Sequence, residues 1–244
     1  MELSQRAVCI VIISAIIFIA TERVSKSNDH WQLNDTLLEI TDDEETELGK
    51  KVDEYIRYQF YLENNPEFND VVNSIVQKVA AVCDRNTLSF TCTILLSPSI
   101  NAFSAPGGYI YLTYGLLKFA QTEDEVAGIV GHEVAHASLR HASKLYHEIM
   151  EILSHQDKGI NDAANVLLLN SYLEEFEQDA DTTGVVYARK AGFNPTGLLD
   201  FLERHFALLM RRRMLGMPDS VATATISTGV NHLREYIATL EKKE

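Results

Sequence analysis

Two histidines and a glutamate within residues 131–141 (GHEVAHASLRH) constrain the fold more than any other feature of the sequence. His132 and His136 are four positions apart, so on an α-helix they lie on the same face and can bind one metal ion. Glu133 would then lie beside that ion without binding it, where a carboxylate can accept a proton from water. The motif therefore requires a helix and, for zinc chemistry, a third ligand from elsewhere.

The sequence around the motif predicts such a helix. Thr122 and Glu125 have the spacing of a capping box. No Gly or Pro follows His132 before Gly159, which predicts a helix of about 30 residues from Thr122. Apolar residues on the histidine side predict that both imidazoles are at least partly buried, and buried imidazoles need partners. The alternative is a polar helix face whose histidines bind nothing. The apolar residues are Val126, Ile129, Val130 and Val134.

A histidine directly after the motif cannot be the third ligand of a metzincin site. That pattern, H-E-x-x-H-x-x-G-x-x-H, requires Gly where Leu139 stands, and His141 comes one position too early. A later helix, predicted over residues 162–190, offers the alternative E-x-x-x-D pattern twice, as Glu175–Asp179 and as Glu177–Asp181.

Helical periodicity separates these two candidate pairs. Glu177 and Asp181 share a side with small and apolar residues, whereas Glu175 and Asp179 lie on the polar side. We therefore choose Glu177 as the third ligand and Asp181 as the carboxylate that hydrogen-bonds a ligand histidine. Small residues such as Gly184 on the same side would allow two helices to approach closely.

The remaining pattern predicts a mainly α-helical α+β fold with a small sheet or hairpin beside the motif helix. Further helices are expected from residue 47 to about 60, and over 66–82, 195–212 and 231–244, with a short helix or turn over 115–120. Strands are expected over 88–96 and 109–113, joined by a loop over 97–108.

A strand that is approached through Gly107 and Gly108 precedes the motif helix. An exposed strand edge there would bind an extended peptide by strand addition. The alternative for the two glycines is a plain hairpin turn.

Composition excludes some partners and leaves others open. The formal charge is −14, from 35 acidic and 21 basic residues. Such a chain is a poor ligand for nucleic acid, which is bound through Lys and Arg. Besides Cys9, the chain has Cys83 and Cys92, which are either a disulfide of an exported protein or two free thiols.

The N-terminus carries an apolar run, AVCIVIISAIIFIA, over residues 7–20. The run is short for a membrane-spanning helix, which needs about 20 residues, and its length suits a signal peptide. We therefore predict a signal peptide or short membrane anchor over residues 1–22, an acidic linker over 23–45 and one catalytic domain over 46–244. The membrane would be contacted only through the first segment, if it is not cleaved.

Several segments together resemble a known family. Residues 101–117 (NAFSAPGGYIYLTYGLL), 122–141 (containing HEVAH) and 177–184 (EQDADTTG) occur in the order and spacing of peptidase family M48. This family includes the HtpX, BepA and Oma types and the CAAX prenyl proteases. The resemblance implies a zincin-like fold of the gluzincin type and one Zn²⁺ per chain.

The same resemblance implies roles for individual residues. The metal ligands would be His132, His136 and Glu177, with Glu133 as the general base. The strand near residues 101–113 would line the substrate cleft, and the candidate cleft residues are Asn101, Ala102, Phe103, Gly107 and Gly108. The chain is most similar to the small exported BepA-like branch, which implies polypeptide substrates and protein quality control. The location would be the periplasm or cell envelope of a bacterium, or a mitochondrial or other organelle membrane.

The chain departs from the family pattern at three places. Thr228, Gly229 and Val230 replace the T-H-P that often precedes the last helix, and Glu174 and Tyr114 each replace an Arg. His232 or Arg234 would then supply a transition-state or regulatory role, unless both belong to an ordinary polar helix start.

Three functions fit these features. The first is a metalloendopeptidase that cleaves exposed or unfolded polypeptide. The second is a chaperone-like or self-blocked protein that binds zinc and cleaves little. The third is a scaffold with a structural H-E-x-x-H, which Glu133 disfavours because a structural site needs no base.

Overall fold

The computed structural model describes residues 41–144, 174–215 and 222–242. The predicted signal peptide or anchor lies outside these residues, as does the predicted linker up to residue 40, and the division of the chain into three parts stays a prediction. In the described part, a small sheet and several helices form a mainly α-helical α+β fold, which confirms the predicted class. The helices are α1 (Asp42–Gln59), α2 (Pro66–Ala80), α3 (Tyr114–Phe119), α4 (Glu123–Ser138), α5 (Glu174–Lys190), α6 (Gly197–Met214) and α7 (Ala222–Glu241). The strands are β1 (Thr91–Leu95), β2 (Ala102–Ala105) and β3 (Tyr109–Thr113).

The first helix begins inside the acidic run that we placed at the end of the linker. Thr41 and Glu44 form a capping box, in which the Glu44 N–H donates to Thr41 Oγ1 and the Thr41 N–H donates to the Glu44 carboxylate at 2.9 Å. Acidic residues are favourable in a first turn because the helix dipole is positive there. Residues 42–45 are therefore part of the helix and not of a linker.

The motif helix α4 is shorter than predicted. Thr122 Oγ1 accepts a hydrogen bond from the Glu125 N–H, as expected of an N-cap. The predicted capping box does not close, because the Glu125 carboxylate accepts hydrogen bonds from the Gln121 N–H and from Arg204 instead. The helix ends at Ser138, although neither Gly nor Pro follows. Arg140 ends it by adopting a left-handed conformation, with φ of 59°.

The sheet contains a strand, β2, where the residue pattern predicted a loop. The strand order is β1–β3–β2, with β1 parallel and β2 antiparallel to β3. Strand β2 lies inside the predicted loop over 97–108, so that prediction was wrong for this stretch. None of its four residues is β-branched, and pairing with β3 decides its conformation. The turn between β2 and β3 fits its glycines, since Gly107 and Gly108 have positive φ values.

Helix α4 crosses α5 so closely that the two helices meet through glycines. A Cβ atom on Gly131 would lie 2.5 Å from the carbonyl oxygen of Gly184, and one on Gly184 would lie 2.5 Å from the nitrogen of His132. Each contact is too short for any side chain. The close helix approach predicted from Gly184 is therefore confirmed, and it brings the E-x-x-x-D helix against the motif.

The other predictions differ from the structure mainly at element ends. Helix α7 begins at Ala222 and not near residue 231, so His232 lies within a helix and not at its start.

Cys83 and Cys92 are free thiols, which decides between a disulfide and two free thiols. Among the described helices, none has both the length and the apolar surface that a bilayer crossing requires.

Candidate active site

Three predicted ligands converge where α4 and α5 cross. His132 Nε2 lies 2.9 Å from His136 Nε2 and 3.7 Å from Glu177 Oε2, and His136 Nε2 lies 3.6 Å from Glu177 Oε1. Donors around a tetrahedral Zn²⁺ at bond lengths of 2.0–2.1 Å are separated by about 3.3 Å, a value that these distances bracket. The two imidazoles and one carboxylate therefore fit a divalent cation, with one coordination position left open.

Glu133 lies next to this donor set and is buried. Its Oε2 atom has no hydrogen-bond partner among the described residues. Burial raises the pKa of Glu133 to about 7, and the nearby charge of Glu177 adds to this increase. The charge of His132 and a hydrogen bond from Ser104 oppose it. An otherwise unpaired carboxylate oxygen with a pKa near neutrality is suited to accept and return a proton.

Asp181 holds the ring of His132. Its Oδ1 atom lies 2.9 Å from His132 Nδ1, which directs the Nε2 lone pair towards the other ligands. Burial lowers the pKa of His132, but the hydrogen bond and charge of Asp181 and the nearby carboxylates outweigh burial and raise it to about 9. A metal ion that binds Nε2 would therefore displace a proton from this nitrogen. His232 Nδ1 lies 3.8 Å from the second oxygen of Asp181, so the structure brings His232 to the edge of the site.

His141, which we excluded as a ligand, contacts the site in another way. Its Nδ1 atom lies 3.0 Å from Nδ1 of His136, and its ring stacks on Phe176 at 4.3 Å with an interplanar angle of 7°. Burial lowers the pKa of His141 to about 3, so its imidazole is neutral. This contact of His141 was not predictable from the sequence, because its position depends on the left-handed conformation of Arg140, for which the local sequence gives no signal.

The predicted cleft residues are only partly accessible. Asn101 is exposed and Ala102 is half-buried, whereas Gly107 and Gly108 are buried. Phe103 is 4% exposed and stacks on Tyr111 at 4.9 Å, so its side chain belongs to the core. A role of these residues in substrate binding stays a prediction.

Strand β2 also supplies a site residue that we did not predict. The Ser104 side chain hydrogen-bonds Glu133, which connects the sheet to the candidate base. A lone serine in a stretch of small residues gave no signal of this contact.

The remaining candidates lie away from the three ligands. Arg234 forms an exposed ion pair with Glu203 at 2.7 Å. Glu175 and Asp179 are exposed, in agreement with the helix side on which periodicity placed them. Tyr114 is 36% exposed and contacts Phe68 edge to face, as a surface aromatic.

Sequence comparison finds similar proteins that are named as proteases. The β-barrel assembly-enhancing protease of Escherichia coli (strain K12) is 22% identical over 198 residues, which cover 73% of this chain and 40% of the relative. The mitochondrial metalloendopeptidase OMA1 of Arabidopsis thaliana is 29% identical over 124 residues, covering 48% of this chain and 26% of the relative. OMA1 of Schizosaccharomyces pombe is 24% identical over 143 residues, covering 54% and 42%.

The chain thus spans less than half of the length of each of these relatives. The sequence model of peptidase family M48 matches residues 66–239, which include every candidate ligand and the candidate base. Because this match covers most of the chain, the protein belongs to peptidase family M48.

Proposed function

We propose that this chain is a zinc-dependent metalloendopeptidase that hydrolyses peptide bonds in exposed or misfolded segments of other proteins. The observation that carries the proposal is the arrangement of two imidazoles and one carboxylate around a common point, with the buried Glu133 beside them. A purely structural zinc site would be closed by four protein ligands and would have no use for such a base.

In this proposal His132, His136 and Glu177 hold one Zn²⁺ ion. When bound, the ion polarises the peptide carbonyl and lowers the pKa of a coordinated water. Glu133 takes up the proton of the attacking water at its carboxylate and delivers it to the leaving amine nitrogen as the C–N bond breaks. The hydrogen bond from Ser104 restrains this carboxylate.

Asp181 contributes by orientation and not by proton transfer. It accepts the Nδ1–H of His132, so the Nε2 lone pair of that ring stays free for the metal. His232 lies on the other side of Asp181, at 3.8 Å. We assign His232 a supporting role on this carboxylate, and assign none in the site to Arg234, whose partner is Glu203.

We further propose that the protein acts in protein quality control at a cell envelope or an organelle membrane. The printed names of the relatives, a β-barrel assembly-enhancing protease and a mitochondrial metalloendopeptidase, support this. The apolar segment over residues 7–20 supports it independently, because it has the character of an export signal or short anchor.

Glu133→Gln tests the proposal, with Glu175→Gln as the matched control on an exposed carboxylate. Casein cleavage and bound zinc are measured in parallel on the same samples. We expect a loss of at least about 100-fold in cleavage for Glu133→Gln, since a general base contributes that much or more, with zinc retained. The control should cleave as the wild type does.

Two results would count against the proposal. Equal cleavage by the wild type and by Glu133→Gln would remove the base from the mechanism. A wild-type protein that binds zinc and leaves casein intact would favour the zinc-binding, chaperone-like alternative.

A further inference from the structure

We propose that His141 is a positioning residue for the ligand His136, and that the buried carboxylate of Glu45 fixes His141 in place through Arg140. The inference rests on the proposed function in one respect, which is that His136 binds a metal. It concerns residues outside the ligand set, the candidate base and the Asp181 contact.

The first step is the hydrogen bond between the two imidazoles. His136 must offer an unprotonated Nε2 to a metal, so its proton resides on Nδ1. The Nδ1 of His141, 3.0 Å away, then has to accept a hydrogen bond from the Nδ1–H of His136. A ligand histidine usually donates to a carboxylate or a backbone carbonyl, and here a neutral imidazole takes that place.

The second step is that His141 connects the two helices that carry the ligands. One edge of its ring meets His136 on α4, while its face stacks on Phe176 on α5. Phe176 directly precedes the ligand Glu177. Stacking on α5 therefore sets the plane of the His141 ring, while its Nδ1 atom contacts His136 on α4.

The third step concerns how the chain returns to the site after α4 ends. Arg140 has φ of 59°, a conformation that non-glycine residues adopt at a cost. This conformation turns the backbone so that the next residue, His141, folds back against His136. The guanidinium of Arg140 forms ion pairs with Asp42 and, at 3.0 Å, with Glu45, and these contacts offset that cost.

The fourth step is the environment of Glu45. This carboxylate is 1% exposed and contacts groups from three other segments. It accepts hydrogen bonds from Arg85 at 3.0 and 3.3 Å and from the Gly107 N–H at 3.4 Å, besides its contact with Arg140. Arg85 also donates to the carbonyl of Ala137 in the last turn of α4. Glu45 thereby ties the start of α1 to the end of the motif helix.

The test compares two substitutions of His141. Asn keeps an acceptor oxygen near the position of Nδ1, whereas Phe keeps a planar ring for stacking and removes the acceptor. The dissociation constant for zinc is measured by competition with a chelator, and the Co²⁺-loaded proteins are compared by visible absorption. Circular dichroism and melting in EDTA confirm that each variant is folded.

We expect His141→Phe to weaken zinc binding about 10- to 100-fold and to change the Co²⁺ spectrum, as losses of ligand-orienting partners do. His141→Asn should stay within about threefold of the wild type, with a similar spectrum. Wild-type affinity and spectrum in His141→Phe would overturn the proposal. An equal loss in both variants would also overturn it, because the ring and not its acceptor would then matter.

A second pair of variants tests the contribution of Glu45. Glu45→Gln removes the charge, and Arg140→Gly removes the ion pairs while tolerating the positive φ. Asp43→Asn, an exposed carboxylate in the same turn, is the control. Both test variants should bind zinc several-fold more weakly than the control, and control-like affinity in both would overturn the role of Glu45. Because the readout is affinity, inactivity of the wild type on casein would count against the proposed function alone.

Discussion

The carboxylate of Asp181 lies 2.9 Å from Nδ1 of His132, so α5 both carries a candidate ligand and orients a candidate ligand on the neighbouring helix. Glu177 and Asp181 are one helical turn apart on the same face of α5. One helix face thus determines the position of a donor atom and the direction of a second donor's lone pair.

Replacing Asp181 by Asn should therefore weaken the site without removing a ligand. Asn retains an acceptor but loses the charge, and we expect zinc affinity and kcat/KM to fall about 10-fold, with a fall towards 100-fold for Asp181→Ala. Chelator competition and casein cleavage measure the two quantities. Asp179→Asn, on the exposed side of the same helix, is the control, and a loss of equal size there would contradict the assignment.

The glycine contact between α4 and α5 leads to a second prediction. Gly184→Ala places a Cβ atom 2.5 Å from the backbone nitrogen of His132, so the helices must move apart. We expect a loss of about 1–3 kcal/mol in the free energy of unfolding, as overpacking of a core causes, together with weaker zinc binding. Urea unfolding measures the free energy of unfolding, and the control Asp179→Ala should change that free energy by less than about 0.5 kcal/mol.

The ion pair between Arg204 and Glu125 should be important for stability because Glu125 is buried. Its two oxygens accept from Arg204 at 2.6 and 2.7 Å. Arg204→Ala leaves this carboxylate without its charge partner, and we expect a loss of about 3–5 kcal/mol in urea unfolding. Arg204→Met combined with Glu125→Gln should recover most of it. Failure of the double variant to recover would show that packing, not charge, makes the contribution.

Cys92 should make stability depend on alkaline pH. Burial, and secondarily the charge of Glu133, raises the pKa of its thiol from 9.0 to about 12. The unfolded chain ionises this thiol above pH 9 while the folded protein keeps it protonated, so its contribution is complete below pH 9 and is lost as pH rises towards 12.

Between pH 8 and pH 10 the wild type should thus lose up to about 1.4 kcal/mol more stability than Cys92→Ala. Urea unfolding at the two pH values measures the difference. Parallel losses in the two proteins would show that the thiol ionises equally in both states.

The sequence predicted those parts of the site that depend on local geometry. Helical periodicity places His132 and His136 on one face and separates Glu177 from Glu175, because a four-residue step is nearly one turn whatever the rest of the fold does. The same reasoning identified Gly184 as a contact point. These are properties of single helices, so the spacing of residues along the sequence is enough to predict them.

Contacts that depend on tertiary structure were not predictable in the same way. The hydrogen bond of His141 to His136 requires Arg140 to leave the helical conformation, and that in turn requires acidic residues distant in the chain. Strand β2 similarly exists because β3 pairs with it. Ser104 reaches Glu133 only as a consequence of that pairing.

The buried position of Glu45 has a practical consequence for truncation. A protein shortened to begin at residue 46, where the predicted domain starts, would lack the carboxylates that face Arg85 and Arg140. Two guanidinium groups would then remain at the end of the motif helix without these counter-charges. The first turn of α1, with its N-cap Thr41, therefore has to be kept in any shortened protein that preserves these contacts.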